Sequence, residues 1–204
     1  MGFWAIVPVK PLRRGKSRLA GVLSEDERAV LNYSMLSNTL KVLIEVPEIE
    51  SILVISRDPS ALSLARANKA RTVQEDGSPE LNAAIRRATA VVQAYSAQGV
   101  LILPADLPLI TAVDIRSFLS HTGQPPEMVI APDRREDGTN AMFIRPPGLI
   151  EYSYGPGSFQ RHIHQAERFG IRHTICRLPS LGLDLDIPED LDILKTMEKV
   201  PVQP

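Results

Sequence analysis

Short aliphatic and β-branched runs, "FWAIVPV", "SILVIS", "GVLILPAD", "EMVIAPD" and "NAMFIRP", recur along the chain with helical patterns between them. Apolar runs of this length suit strands buried on both faces, and such strands need helices above and below. The expected fold is therefore α/β, with a mostly parallel, doubly wound, Rossmann-like sheet and helices on both faces. Ser24 and Glu27 form a capping-box pattern that opens a long helix, "SEDERAVLNYSMLSNTLKVLIEV", whose apolar residues recur every three to four positions until Pro47. A second helix follows Pro59. A third runs through "SPELNAAIRRATAVVQAYSAQ" and ends at Gly99, "VLILPAD" is the fourth strand, and "TAVDIRSFLSH" is the next helix. After Asp133 come a loop, a strand, a Gly-rich turn "YGPGS", the helix "FQRHIHQAERFG", the strand "IRHTICRL", the segment "LGLDLD" and a last helix from Pro188. With 204 residues the chain suits one domain, residues 1–199, ending in a loose tail at 200–204.

Charge narrows the function. Lys+Arg 23 against Asp+Glu 24 leaves no global field to attract nucleic acid, so anion binding must come from a local cluster. The one dense cluster is "VKPLRRGKSRLAG", with Lys10, Arg13, Arg14, Lys16 and Arg18. It is not a Walker loop, because the position that needs a wrapping Gly holds Lys10. The lone Cys176 and the lack of zinc-like spacings fit a reducing cytoplasm, and no apolar run is long enough to cross a membrane.

In a doubly wound sheet ligands gather at the carboxyl ends of the strands. The basic segment follows the first strand and reads either as a solvated loop or as a clamp on a triphosphate. "LPADLPL" delivers Asp106 to the end of a central strand, as a metal ligand or as a helix cap. In "GLDLDIPEDLDIL" an extended chain projects Asp184 and Asp186 on one face about 6.6 Å apart. Two such carboxylates favour a hard cation such as Mg2+, unless Asp186 merely caps the helix at Pro188. Asp190 and Asp192 fall inside that helix and read as solvated. Gly138, Thr139 and Asn140 form a turn, while Gly155, Gly157 and Ser158 lead into a helix whose first amides either hold a second anion or belong to an ordinary turn and N-cap. His162, one turn on, lies on the Ser158 side and could face that anion. Ser78, Leu81 and Asn82 open a helix beside the sheet, where Asn82 reads either a base edge or its own capping turn.

Taken in order, "PVKPLRRGKSRL", "ELNAAI", "LPADLPL", "DGTNAM", "YGPGSFQRH" and "LGLDLDIPEDL" resemble the 2-phospho-L-lactate and phosphoenolpyruvate guanylyltransferases of deazaflavin coenzyme F-420 biosynthesis. More distantly the layout is similar to nucleotidyltransferases with the A-type glycosyltransferase, or nucleotide-diphospho-sugar transferase, fold. The resemblance implies transfer of GMP from GTP onto a three-carbon phosphoacid by a cytoplasmic monomer or homodimer. It also implies that Thr139, Gly155 and Ser158 hold the acid and that Asp106, Asp184 and Asp186 hold Mg2+. Lys10, Lys16, Arg18 and Asn82 are then expected at the nucleotide, with Lys16, Arg18 and Asp106 the catalytic group. Another nucleotidyltransferase, a sugar-nucleotide glycosyltransferase of the same fold, or a nucleotide-binding module without turnover are the competing expectations.

Overall fold

A computed structural model describes residues 2–76 and 80–198; Ser78 and the 200–204 tail lie outside the described residues. Seven strands form one sheet in the order β3-β2-β1-β4-β6-β5-β7. They are β1 (Phe3–Val9), β2 (Ile49–Ser56), β3 (Arg71–Gln74), β4 (Gly99–Ile102), β5 (Glu127–Pro132), β6 (Thr139–Arg145) and β7 (Arg172–Ile175). All neighbouring pairs are parallel except those of β6, which runs antiparallel to both β4 and β5. The order reverses between β1 and β4, so the loops leaving those two strands emerge side by side. In doubly wound sheets this is where ligands bind.

Alternation along each strand fills two cores. Ala5 and Val7 of β1 face one side with Leu36, Leu40 and Leu43 of α1 (Glu25–Ile44), Leu62 of α2 (Pro59–Ala67) and Phe118 of α4 (Ala112–Leu119). Trp4 and Ile6 face the other side with Ile85 and Val92 of α3 (Leu81–Ala94) and Phe159 and Ile163 of α5 (Ser158–Arg168). Helices therefore cover both faces, as the apolar runs require. Local signals set three of the helix starts. Ser24 and Glu27 make the complete capping box of α1, Asp58 caps α2 ahead of Pro59, and Thr111 with Asp114 caps α4. Asp106 caps none of them.

The chain departs from the sequence reading in three places. Helix α3 stops at Ala94, and Gly99 is the first residue of β4 instead of a helix terminator. A Cβ there would lie 2.5 Å from the Phe143 ring, so the close approach of β6 is what demands glycine. Thr139 and Asn140 belong to β6 and not to a turn. The "LDLD" segment pairs with no strand, although Leu183 and Leu185 are buried while Asp184 and Asp186 are only partly so, which preserves the predicted alternation.

A third, small core matters most for function. Leu19, Met35 and Leu185 pack together with Leu191 and Leu194 of α7 (Pro188–Glu198), which follows the single turn α6 (Pro179–Gly182). It joins a 3-10 turn at Ser17–Leu19, helix α1, the aspartate segment and the last helix. The basic loop is thereby held against the aspartates.

Candidate active site

The basic loop turns back on itself through the amides of Arg14 and Gly15, both donating to the Pro11 carbonyl at 3.0 and 2.8 Å. Asp58 accepts the Leu12 amide, and Asn32 of α1 donates to the Leu12 carbonyl. The loop ends at Lys16, whose backbone is left-handed (φ 57°). Such a conformation in a residue other than glycine costs about 1–3 kcal/mol and persists where the surroundings over-determine it.

Those surroundings are two carboxylates. The Lys16 side chain, 7% exposed, donates from Nζ to Asp106 Oδ2 and to Asp186 Oδ1, each at 2.9 Å. Burial opposes the charged ammonium, but Asp106 and then Asp186 outweigh it and hold the Lys16 pKa above its ordinary value. Burial likewise opposes the Asp186 carboxylate and is outweighed by Lys16, with Lys10 and Arg18 adding to it, so the Asp186 pKa is lowered. Lys10 and Arg18 are exposed and act on Asp186 only through their charge. Arg13 pairs with Asp26 at the start of α1, as expected of a solvated loop residue.

Asp184 completes the acidic group. Its pKa is pushed up to about 6, first by burial and then by the charges of Asp106 and Asp186. The Leu185 amide donates to the Asp106 carbonyl at 3.0 Å, which lays the aspartate segment along the loop after β4. Asn140 of β6 donates to the carbonyls of Leu181 and Gly182 and reaches Asp184 Oδ1 at 3.4 Å. Among the described residues no three His, Cys, Asp or Glu side chains form a ready-made metal cage. Mg2+ does not require one, since one or two carboxylates commonly hold it together with substrate phosphates. Hard carboxylate oxygens, one of them crowded by like charge, fit that mode of binding.

Asp190 corrects the sequence reading. It is buried, 1% exposed, and not solvated. Its Oδ2 accepts the amides of Asp186 and Ile187 at 2.9 and 2.8 Å, and its Oδ1 accepts from Arg134 at 2.8 Å. Burial would raise its pKa, but Arg134 and the two amides lower it below the ordinary value. The helix following "LDLD" thus grips the segment by its own backbone, while the Asp186 side chain is left for Lys16 instead of capping.

The expected acid-binding residues also meet. Ser158 Oγ donates to Thr139 Oγ1 at 3.2 Å, and the Ser158 amide donates to the Gly155 carbonyl at 3.0 Å. Gly155 has φ +118°, a conformation reserved for glycine. The first amides of α5 are not open to an anion, however. Asp137 takes the Gly157 amide with its carboxylate and the Phe159 amide with its carbonyl. Asp137 sits in a tight loop in which the Asp133 carboxylate accepts the amides of Arg135, Asp137 and Gly138.

Two further expectations change. Asn82 accepts the Tyr154 amide at 2.7 Å and donates to the Tyr154 carbonyl at 3.3 Å, so both ends of its amide are spent on one residue. It tethers the Tyr154–Gly155 turn, with one N–H and one oxygen lone pair left over. His162 is fully buried and meets any anion only through Thr139, whose Oγ1 lies 3.1 Å from Nδ1. The roles of Asp190, Asn140 and Arg134 have no counterpart in the sequence reading. The one signal for Asp190 is its place three residues after Ile187 in "DIPED", where a first-turn carboxylate can reach back to preceding amides.

The sequence matches the family model described as "Guanylyl transferase CofC like" over residues 3–197. It is 41% identical over 204 residues to the phosphoenolpyruvate guanylyltransferase of Rubrobacter xylanophilus, covering 100% of this chain and 98% of that one. It is 33% identical over 187 residues to the 2-phospho-L-lactate guanylyltransferase of Methanocaldococcus vulcanius, covering 91% of this chain and 81% of the relative. Among solved structures, a nucleotidyl transferase from Methanothermobacter thermautotrophicus superposes with a TM-score of 0.70 at 14% identity, over 96% of this chain and 97% of that one. At that identity the likeness concerns the fold, which is a nucleotidyltransferase fold.

Proposed function

The chain belongs to the family of CofC-like guanylyl transferases, and from that premise we propose that it moves GMP from GTP onto the phosphate of a three-carbon phosphoacid, phosphoenolpyruvate or 2-phospho-L-lactate. The product is a diphosphate-linked acid activated for attachment to a deazaflavin. The observation that carries the reading is the ion-paired cluster at the β1/β4 reversal, where Lys16 lies 2.9 Å from both Asp106 and Asp186 beside the crowded Asp184.

In this reaction an oxygen of the acceptor phosphate attacks the α-phosphorus of GTP. A P–O bond forms there, the bond to the β-phosphate bridge breaks, and pyrophosphate leaves with the electron pair. The acceptor phosphate is anionic near neutral pH, so the chain needs no general base and must instead position two anions and relieve their repulsion. Asp106, Asp184 and Asp186 would hold Mg2+, which supplies positive charge to offset the phosphates. Lys16, with Lys10 and Arg18 around it, offsets the charge that gathers on the departing pyrophosphate. Thr139, held by Ser158, and the Gly155 turn hold the acid on the α5 side. Asp133 and Asp137 brace that side through backbone amides.

Pyrophosphate release from GTP, measured with Mg2+ and with phosphoenolpyruvate, 2-phospho-L-lactate or 3-phosphoglycerate in turn, tests the proposal. Release that depends on one of these acids and stops when the metal is chelated is the expected result. Absence of release with every acid refutes guanylyl transfer, and undiminished release in excess chelator refutes the metal assignment.

A further inference from the structure

Thr139 stands at the first position of β6 with its hydroxyl held from two sides. His162 of α5 fixes one of them. The ring is fully buried, and its Nε2 accepts the Ser153 amide at 3.0 Å. A ring nitrogen that accepts an N–H carries no proton, so in the neutral imidazole the proton is on Nδ1, which donates to Thr139 Oγ1 at 3.1 Å. Ser158 Oγ donates to the same oxygen at 3.2 Å. Both lone pairs of Thr139 Oγ1 are then filled, and its own O–H must point elsewhere. Among the described residues no acceptor is found for it.

We propose that His162 is a positioning residue for the phosphoacid, which sets the Thr139 hydroxyl as a donor toward an anionic oxygen of the substrate. Through the Ser153 amide the same ring fixes the turn that Asn82 grips at Tyr154 and that leads to Gly155. The inference rests on the guanylyl-transfer reading and adds to it how the acid is recognised. Burial, then the charge of Arg161, push the His162 pKa down to about 4, so the accepting Nε2 persists across ordinary assay conditions. Tyr154 stacks edge-on against the ring at 5.2 Å and keeps the imidazole plane in place. A donor turned toward an anion is worth about ten- to a hundredfold in affinity, the range of a hydrogen bond to a charged group.

The test compares wild type with His162→Gln, His162→Phe and Thr139→Val in steady-state pyrophosphate release, each checked for folding by thermal melting. Gln keeps one acceptor and one donor, Phe fills the space with neither, and Val removes only the hydroxyl. His162→Phe and Thr139→Val should each raise KM for the acid at least tenfold while KM for GTP stays within about twofold, and His162→Gln should recover most of the loss. Where His162→Phe does not fold, Thr139→Val and His162→Gln decide between the outcomes. A folded His162→Phe with an unchanged KM for the acid, equal rises in both KM values, or a folded Gln variant no better than Phe overturns the inference while guanylyl transfer by the wild type still stands. A wild type with no acid-dependent release instead overturns the function itself, and this inference with it.

Discussion

Replacing Asp190 tests whether the last helix builds the site. Its carboxylate is 2% exposed and accepts three hydrogen bonds, two from the backbone of the aspartate segment and one from Arg134. Asp190→Ala leaves two backbone amides without their acceptor and releases the partly exposed Arg134. Leaving such donors unpaired costs about 1–3 kcal/mol each, so a loss of about 2–5 kcal/mol follows. In a domain of this size each kcal/mol moves the melting temperature by about 2–4 °C, so a drop of roughly 4–20 °C is expected. Asp190→Asn keeps one carbonyl oxygen where both amides converge but turns its NH2 toward Arg134, losing that hydrogen bond and the ionic contact, so it should fall between wild type and Ala. Activity adds a second readout. At 20 °C, where the Ala variant remains folded, its turnover should still fall at least tenfold, because the Asp186 backbone is no longer pinned opposite Lys16. Calorimetric melting and steady-state pyrophosphate release on the same samples measure both effects. An Ala variant that melts within 2 °C of wild type, or that turns over normally, refutes the role assigned to Asp190.

Acid should act through His162. Its folded pKa of about 4 lies below the ordinary 6.5, so the unfolded chain binds more protons between those values, and the stability present above pH 6.5 is lost as pH falls toward 4. Between pH 7 and pH 5 this amounts to roughly 2 kcal/mol, and urea titrations should show His162→Gln losing that much less than wild type; equal losses would remove His162 from the account. Asp106→Asn should fold normally, judged by circular dichroism, and lose two or more orders of magnitude in turnover, so wild-type turnover would sink the metal assignment. Lys16→Ala should raise KM for GTP at least tenfold with little change in binding of the acid, and calorimetry with each substrate separates the two.

Features written in local chemistry are readable from the sequence, and features that depend on distant partners are not. Capping boxes at Ser24 and Thr111 act within four residues, so the starts of α1 and α4 can be placed from sequence alone. Apolar runs announce buried strands but not their neighbours, and nothing local in "NAMFIRP" reveals that β6 runs against β4 and β5. The basic loop and the aspartates stand out because charge so close together needs counter-charge. Their direct pairing spans 170 residues, from Lys16 to Asp186, and only the strand order brings it about. Asp190 looks like any acidic residue in a first helical turn, and its burial depends on Arg134, 56 residues earlier. The tether made by Asn82 is illegible for a related reason, since the Tyr154 backbone bonded to its amide lies 72 residues on.

The small core that joins Leu19, Met35 and Leu185 to α7 also has a meaning for biosynthesis. On the ribosome β1 and the basic loop emerge first, yet Lys16 has no opposing carboxylate until Asp106 appears and no second one until Asp186 is made. Every strand of the sheet is synthesised before position 176. A nascent chain can therefore lay down its described strands before the Lys16 ion pair is complete, and the second carboxylate is pinned opposite Lys16 only once α7 docks and Asp190 closes over the aspartate segment.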